Sequence, residues 1–192
     1  MARNVEFNEE EAIQKATDVF WEKGYHGASL RDLTDAMQIN SSSLYNTIGD
    51  KHQLFVKCLK YYIQNKREFL QNQSERADSP LAAIINFIEA ASETIIKDAN
   101  GCLAVKTAFE VSPKDDRIQS ILKADNDFTR NYLSSLVKQA INDGQMAATE
   151  DPDLLADFIV ASYTGWYELH VLYANSKQIR NLAQLLIRQI SS

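Results

Sequence analysis

Residues 29–54 read SLRDLTDAMQINSSSLYNTIGDKHQL, and three helix starts fall within this short stretch. Ser29 and Asp32 have the spacing of a capping box, in which each side chain caps the backbone of the other residue. Asn40 is a suitable N-cap for a helix of about seven residues, and Asp50 is a suitable N-cap for the helix that follows. The apolar residues in between allow two short helices to pack across one turn. The stretch therefore predicts a helix-turn-helix.

Proline and glycine mark the ends of helices along the rest of the chain. Three prolines directly follow a capping residue, in Ser79–Pro80, Ser112–Pro113 and Asp151–Pro152. This order is typical of a helix start, with proline at the first helical position. Three glycines suit the left-handed position just beyond a helix C-terminus, namely Gly24, Gly49 and Gly144. With the helical periodicity they predict an all-α chain of about nine helices, at residues 9–23, 30–37, 41–47, 51–74, 80–98, 101–111, 113–143, 152–173 and 176–190.

The predicted helices divide the chain into a small part and a large part, because they lengthen beyond the first few. We expect residues 1–55 to form a three-helix domain that contains the helix-turn-helix. We expect residues 56–192 to form a larger helical bundle. The predicted helix at 51–74 is shared between the two.

Composition restricts the class of protein before any function is considered. A chain of 192 residues with 45% hydrophobic content is able to bury a sizeable core. It has no apolar run of about 18 residues, and its first seven residues lack the apolar stretch of a signal peptide. We therefore expect a cytoplasmic protein that does not cross a membrane. Cys58 and Cys102 are too few for a disulfide framework and are not clustered for zinc, so we expect free thiols and no cofactor.

The charge of the chain argues against nucleic acid as a partner. The net charge is −6, and residues 1–55 contain five lysine or arginine residues against nine acidic ones. Domains that bind phosphates usually carry the opposite sign. Binding to DNA would therefore depend on where the few cations lie. A helical adaptor that binds another protein, without DNA, is the alternative that suits an acidic surface better.

The second helix of the helix-turn-helix displays an almost uncharged set of hydroxyl and amide groups. Its polar side chains are Ser41, Ser42, Ser43, Tyr45, Asn46 and Thr47. Such groups bind phosphate oxygens and the edges of bases. We expect Ser42, Ser43 and Asn46 to read the bases, because short side chains permit close approach and asparagine can bind adenine with two hydrogen bonds. A solvated polar turn is the alternative.

Three basic side chains lie in the first turn of a helix, where the helix macrodipole disfavours positive charge. They are Arg31, Lys51 and His52. A helix N-terminus with a cation is an anion-binding site, and two such sites beside a short polar helix would hold both edges of a DNA groove. The alternative is that Arg31 and Lys51 only pair with neighbouring carboxylates.

Residues 9–55 resemble the TetR family of transcriptional regulators. The resemblance is carried by Gly24–Tyr25 after the first helix, followed by S-L-R-D-L, S-S-L-Y-N and G-D-K-x-x-L-F. It implies that the helix at 41–47 enters the major groove of DNA. The operator sequence stays open, because this chain departs from the family pattern at Thr34, Gln38 and Thr47–Ile48.

The same resemblance implies roles for five residues around the recognition helix. Tyr45 and Thr47 would lie near the DNA backbone, and Lys51 would contact a phosphate. Ser29 and Arg31 would hold the edge of the groove. These five residues and the polar side chains of the helix make up the expected DNA surface.

In TetR-type proteins the C-terminal domain binds a small molecule, and the last two helices of each subunit form a four-helix dimer interface. This chain has broad apolar faces on both of its last helices, which include Leu154, Phe158, Gly165, Trp166, Leu172, Ile179 and Leu186. Such faces suit a homodimer on a palindromic operator, and they also suit the core of a single subunit. The resemblance implies a repressor that a small-molecule inducer releases from its operator.

Aromatic side chains of the larger domain suit a ligand cavity. They are Phe69, Phe87, Phe109, Tyr163, Trp166 and Tyr167. Such a cavity favours a neutral, lipophilic or aromatic inducer, although each aromatic residue alone is more typical of core packing. Cys102 lies in a Gly101–Val105 segment similar to a G-C-L motif of one TetR subgroup, and a thiol at a helix start could sense redox state or electrophiles. Cys58 follows the apolar periodicity and is interpreted as a core residue.

An enzyme is the remaining alternative, with His26, His52 and His170 as its candidate groups. The sequence contains no HExxH motif, nucleophile elbow or phosphate-binding loop. Two histidines that converge on a carboxylate in one pocket would favour catalysis. We therefore predict a DNA-binding transcriptional regulator without enzymatic activity.

Overall fold

The computed structural model describes residues 8–98, 100–147, 149 and 151–191. Over these residues the chain forms nine α-helices and one short 3₁₀ helix, with no strand. The α-helices are α1 Glu9–Gly27, α2 Leu30–Met37, α3 Ser41–Thr47, α4 Lys51–Ser74, α5 Pro80–Lys97, α6 Leu103–Glu110, α7 Asp116–Asn142, α8 Pro152–Tyr173 and α9 Ser176–Ile190. The 3₁₀ helix, Ser112–Lys114, joins α6 to α7. The predicted all-α fold is confirmed.

Side-chain caps begin the four N-terminal helices as the sequence predicts. Asn8, Asn40 and Asp50 each accept a hydrogen bond from the backbone N–H three residues further on. Ser29 and Asp32 form the predicted capping box with both reciprocal bonds. Each cap satisfies a backbone donor and stabilises its helix by about 1 kcal/mol. That contribution matters most for α2 and α3, which are too short to be stable alone.

The first helix, α1, consists of two helical segments that are joined by a kink. α1 continues to Gly27 beyond a kink at Gly24, whose φ of 74° and ψ of 175° are accessible almost only to glycine. The predicted positive φ at Gly24 is therefore confirmed, and the first regular segment ends at residue 23 as predicted. The short helical segment that follows, to Gly27, was not predicted. A second helical segment can begin because the N–H groups of Tyr25 and His26, freed by the kink, donate to the carboxylate of Glu110.

The prediction that Ser112–Pro113 opens a long helix is wrong. Pro113 lies in the 3₁₀ helix, and α7 begins at Asp116. Asp115 is the N-cap, since its side chain accepts a hydrogen bond from Ile118 N at 3.0 Å. A carboxylate at the cap with a second acidic residue in the first turn complements the helix macrodipole better than the serine does.

α4 and α5 connect the two ends of the molecule. α4 packs against α1 and also against α5 and α7. α5 contacts α8 and α9 in addition, and α7 packs along α8. The core extends from Phe20 and Phe55 near the N-terminus to Ile84 and Ile159. The predicted division after residue 55 falls inside α4, and the division into two domains stays a prediction.

The apolar faces of α8 and α9 have a buried and an exposed side. Trp166 and Leu186 are buried within the subunit, and Leu186 is only 4% exposed. Leu154, Phe158 and Leu172 are more than half exposed on the other side of α8. The alternative of a single-subunit core therefore accounts for one side of these helices. The other side is uncovered in one subunit.

Two predictions concern membranes. The interpretation that the chain begins without a signal peptide falls on residues 1–7, which lie outside the described residues. Among the helices that the structure describes, none has both the length and the apolar composition needed to cross a membrane.

Candidate functional site

α3 turns one side to the protein and the other to solvent. Leu44 is fully buried and holds α3 against the N-terminal core. The exposed side chains are Ser41, Ser42, Tyr45, Asn46 and Thr47. The first four of these lie on one face, because Ser41 and Tyr45, like Ser42 and Asn46, are four residues apart and therefore neighbours on a helix. Ser43 is half-buried. The predicted recognition residues thus form a polar surface in which most side chains are short.

Lys51 and Arg31 differ in their surroundings. Nζ of Lys51 lies 4.8 Å from the ring centroid of Tyr25, at the corner between α3 and α4. Among the ion pairs of the described residues, none includes Lys51, so pairing with a carboxylate does not explain its position. Nε of Arg31 is 3.6 Å from Oδ2 of Asp35. Both side chains of that pair are exposed, so the ion pair contributes little to the stability of the fold.

The anionic partner of His52 belongs to the chain itself. Nε2 of His52 lies 2.5 Å from Oδ2 of Asp115, the N-cap of α7. The hydrogen bond from Ile118 N and the contact with His52 hold the pKa of Asp115 below its ordinary value. The expectation that a bound anion accounts for His52 is therefore wrong. The pair instead ties the start of α4 to the start of α7.

A cavity of about 720 Å³ lies in the helical bundle. Residues of α1, α4, α5, α6, α7 and α8 line it. Of the predicted ligand-binding residues, five are on this wall, namely Phe69, Cys102, Phe109, Tyr163 and Tyr167. Phe109 is 82% exposed and Phe69 is 46% exposed, so both lie where the cavity opens to solvent.

Phe87 and Trp166 do not line the cavity, which corrects the expectation for these two residues. Phe87 is buried behind the wall, where its ring packs edge-on against Tyr163 with centroids 6.0 Å apart. Trp166 is turned away because it precedes Tyr167 by one residue on α8, a rotation of about 100°. Sequence reasoning identified the aromatic residues but not which side of α8 encloses the cavity.

Sequence reasoning missed the charged group in the cavity wall. Nζ of Lys66 donates to Oδ2 of Asp125 at 2.9 Å, and Nε of Arg67 donates to Oδ1 of the same carboxylate at 2.8 Å. Lys66 and Asp125 both line the cavity. The signal was present, because Lys66 falls four residues from both Tyr62 and Leu70 in an otherwise apolar stripe.

The contacts between α6 and α1 were also missed. Nε1 of Trp21 donates to Gly101 O at 2.5 Å, and Nζ of Lys106 donates to Trp21 O at 3.1 Å. The Glu110 carboxylate accepts hydrogen bonds from the backbone N–H groups of Tyr25 at 3.2 Å and His26 at 2.8 Å. Trp21 also lines the cavity. One helix of the cavity wall is therefore bonded directly to the helix that supports α2 and α3.

The two cysteines have different surroundings. Burial raises the pKa of the Cys58 thiol to about 12, which agrees with its interpretation as a core residue. Cys102 is buried as well, but it lines the cavity beside Tyr62 and Tyr167. A sensor role for Cys102 stays a prediction.

The histidines do not form the arrangement that the enzyme alternative requires. His52 pairs with Asp115, and none of the three histidines lines the cavity. Nδ1 of His170 is buried without a hydrogen-bond partner. In the part of the chain that the structure describes, no group of three or more His, Cys, Asp or Glu side chains could hold a metal ion.

Two family models match the chain. The model described as "Bacterial regulatory proteins, tetR family" matches residues 12–58, which contain the helix-turn-helix. The model described as "Tetracyclin repressor-like, C-terminal domain" matches residues 80–186, more than half of the chain. Both ends of the molecule therefore match the same family.

Curated relatives agree with these models. The HTH-type transcriptional repressor DhaR of Mycobacterium sp. strain GP1 is 28% identical over 155 residues, which cover 80% of this chain and 77% of DhaR. The HTH-type transcriptional repressor ComR of Escherichia coli K12 is 28% identical over 158 residues, which cover 80% of this chain and 74% of ComR.

Solved structures extend the agreement to the fold. A cysteine mutant of the TetR family regulator CifR, complexed with 26-bp double-strand operator DNA, superposes with a TM-score of 0.86 at 26% identity and covers 98% of this chain and 100% of that chain. A TetR regulator from Chloroflexus aurantiacus has the same fold, with a TM-score of 0.87 at 22% identity over 93% of this chain and 91% of that one. The chain therefore belongs to the TetR family and is a DNA-binding transcriptional regulator.

Proposed function

We propose that this regulator is a cytoplasmic repressor, and that a small molecule bound in the cavity releases it from its operator. The observation that carries the proposal is that Thr17 and Trp21 of α1 line the cavity together with residues of α4–α8. A bound ligand would therefore contact the helix that supports α2 and α3. The names of DhaR and ComR as repressors, and the operator complex of CifR, support this proposal.

The proposed DNA contacts divide into phosphate contacts and base contacts. Lys51 and Arg31 bind phosphates on either side of α3, assisted by the hydroxyl of Ser29. Ser42, Ser43 and Asn46 read base edges in the major groove. The remaining members of the surface lie against the DNA backbone, namely Ser41, Tyr45 and Thr47.

The proposed partner of the subunit is a second copy of the same chain. The uncovered side of α8 presents Leu154, Phe158, Gly165 and Leu172, and Leu185 of α9 is 45% exposed. A Cβ added to Gly165 would meet no atom of its own subunit within 4 Å. Close approach of a second α8 would explain a glycine that costs about 1 kcal/mol inside a helix. Two subunits would then bind the two halves of a palindromic operator.

The proposed path from ligand to DNA has two branches. α4 runs from Lys51 to the cavity residue Phe69, so a tilt of α4 would move α3. α6 is bonded to α1 through Lys106, which donates to Trp21 O, and through Glu110, as described above. A ligand that favours a different position of either helix would change the spacing of the two recognition helices.

Selection of bound sequences from random DNA tests the DNA-binding half of the proposal. The expected product is a palindrome whose half-sites lie about 34–36 Å apart or a multiple of that distance. A selection that enriches no sequence would favour the adaptor alternative instead.

Screening of small-molecule pools for release from the selected operator tests the inducer half. Linkage requires operator DNA to weaken inducer binding by the same factor by which inducer weakens DNA binding. If no compound changes DNA affinity, the sensor role is contradicted while the DNA-binding role stands.

A further inference from the structure

Lys66 is a charged group on an otherwise mostly apolar cavity wall. Its side chain is 15% exposed, and its Nζ donates to Asp125 at 2.9 Å. An ammonium group has three donors, and this is the one hydrogen bond that Nζ makes among the bonds of the described residues. Two donors are therefore left for a ligand in the cavity.

The charges around Lys66 do not cancel. Asp125 is 5% exposed and is shared between Lys66 and Arg67, so two cations face one carboxylate. Burial acts to lower the pKa of Lys66, whereas the hydrogen-bonded carboxylate of Asp125 acts to raise it. The amine is thus protonated at neutral pH. Arg67 also donates to Ala124 O and lies over the ring of Phe128. The two cations and one carboxylate therefore leave a net positive charge beside the cavity.

Four tyrosines line the same cavity, Tyr61 among them. The other three are Tyr62, Tyr163 and Tyr167. Burial raises the pKa of each of these three, that of Tyr163 to about 12, so all three hydroxyls are protonated at neutral pH and can donate hydrogen bonds. Tyr163 neighbours Lys66. Hydroxyl donors on the same wall as a half-buried ammonium suit a carboxylate, which they bind through charge-assisted hydrogen bonds.

Two other carboxylates line the cavity, and neither of them binds the Lys66 ammonium as Asp125 does. Asp18 is exposed. Asp98 accepts a hydrogen bond from Asn100 N at 3.0 Å, and burial raises the pKa of Asp98 to about 6. Neither forms an ion pair with Lys66. The rest of the wall includes Leu70 and Leu122, which suit an apolar body.

We propose that the cavity binds an organic carboxylate with an apolar or aromatic body, and that its carboxylate group binds Lys66. The ligand would share the Lys66 ammonium with Asp125 and supply the missing negative charge. This proposal rests on the inducer function proposed above, and it replaces the expected neutral inducer with an anionic one.

The test compares carboxylates with their primary amides, which have nearly the same shape but no charge. Octanoate and octanamide, and phenylbutyrate and phenylbutyramide, are titrated into the full-length protein by calorimetry and into its operator complex by fluorescence anisotropy. Wild-type protein should bind at least one acid about 10- to 100-fold more tightly than its amide, the effect of one buried charge-assisted bond. Lys66→Met should abolish this preference. Lys123→Met, at an exposed lysine on the same cavity, should retain it.

A second variant gives a change in the opposite direction. Asp125→Asn removes the internal competitor and leaves Lys66 and Arg67 with excess positive charge, so it should tighten acid binding and leave amide binding unchanged. Acid binding by Asp125→Asn tests the proposal if circular dichroism shows that Lys66→Met fails to fold. The proposal is overturned if wild-type protein does not prefer the acid, or if Asp125→Asn does not tighten acid binding. Release of DNA by amides but not by acids would overturn the carboxylate proposal alone, whereas release by neither class would count against it and against the inducer function.

Discussion

Lys51 is the single residue whose loss we expect to weaken binding to every DNA sequence alike. It lies at the corner of α3 and α4 over Tyr25, where a phosphate contact is proposed. Lys51→Ala should reduce the slope of log affinity against log salt by roughly one per subunit, because one counterion fewer is released. Lys60→Ala, at an exposed lysine further along α4, should leave the slope unchanged. An unchanged slope together with an altered base preference for Lys51→Ala would contradict the assignment.

Loss of Asn46, unlike loss of Lys51, is expected to change the sequence preference of the protein and not its affinity for every sequence. Its side chain is exposed on the same face of α3 as Ser42 and Tyr45 and has the donor and acceptor needed to read a base. Asn46→Ala should relax one or two operator positions at a cost of about 1–3 kcal/mol, with non-specific binding retained. Selection with the variant protein measures this, and Asn131→Ala on α7 is the control. Equal loss on all sequences would make Asn46 a positioning residue.

At the residue scale, exposure on α3 could be predicted from sequence, but the cavity wall could not. Leu44 is an aliphatic residue among polar neighbours, so the sequence already indicated which face of α3 is buried. Lys66 and Asp125 interrupt apolar stripes on two helices far apart in the chain. Their meeting depends on how α4 packs against α7, which periodicity does not specify.

Among the elements, α6 is the one that we expect to transmit ligand binding. Its last residue, Glu110, bonds to the backbone of Tyr25 and His26 in α1. Glu110→Ala should leave inducer affinity nearly unchanged in the absence of DNA but reduce the coupling between inducer and operator, which is typically about 1–3 kcal/mol. Inducer affinities measured with and without operator give that coupling. Glu89→Ala on α5 is the control, and full coupling in Glu110→Ala would exclude this branch.

Element boundaries were predicted well where a single cap was present and poorly where two competed. α3, α4 and α9 have the predicted bounds because one residue caps each of them. At the start of α7, Ser112 and Asp115 are both suitable caps, and the choice depends on how the 3₁₀ helix fits between α6 and α7. In α1, continuation past Gly24 depends on Glu110, a residue remote in sequence.

For the whole molecule, the uncovered side of α8 leads to a prediction about assembly. Phe158 is 53% exposed and Leu186 only 4%, so Phe158→Glu should disrupt a dimer without harming the subunit core. We expect a helical monomer with much weaker affinity for the palindrome, because two half-sites are no longer bound together. Light scattering, circular dichroism and operator titration on the same preparation measure this. Gln139→Glu adds the same charge to an exposed site on α7 as the control, and a Phe158→Glu monomer with undiminished affinity would contradict the dimer mechanism.

The bonds between α6 and α1 mostly end on main-chain atoms of α1. Lys106 donates to a carbonyl, and Glu110 accepts from two backbone N–H groups. Every residue except proline has both a main-chain N–H and a main-chain carbonyl. Another N-terminal segment with the same kinked helix, and without proline at positions 25 and 26, would therefore offer the same partners. Recombination could therefore exchange the operator that the protein recognises while its connection to the cavity persists. In such a graft, Trp21 is the side chain to preserve, since its indole donates to Gly101.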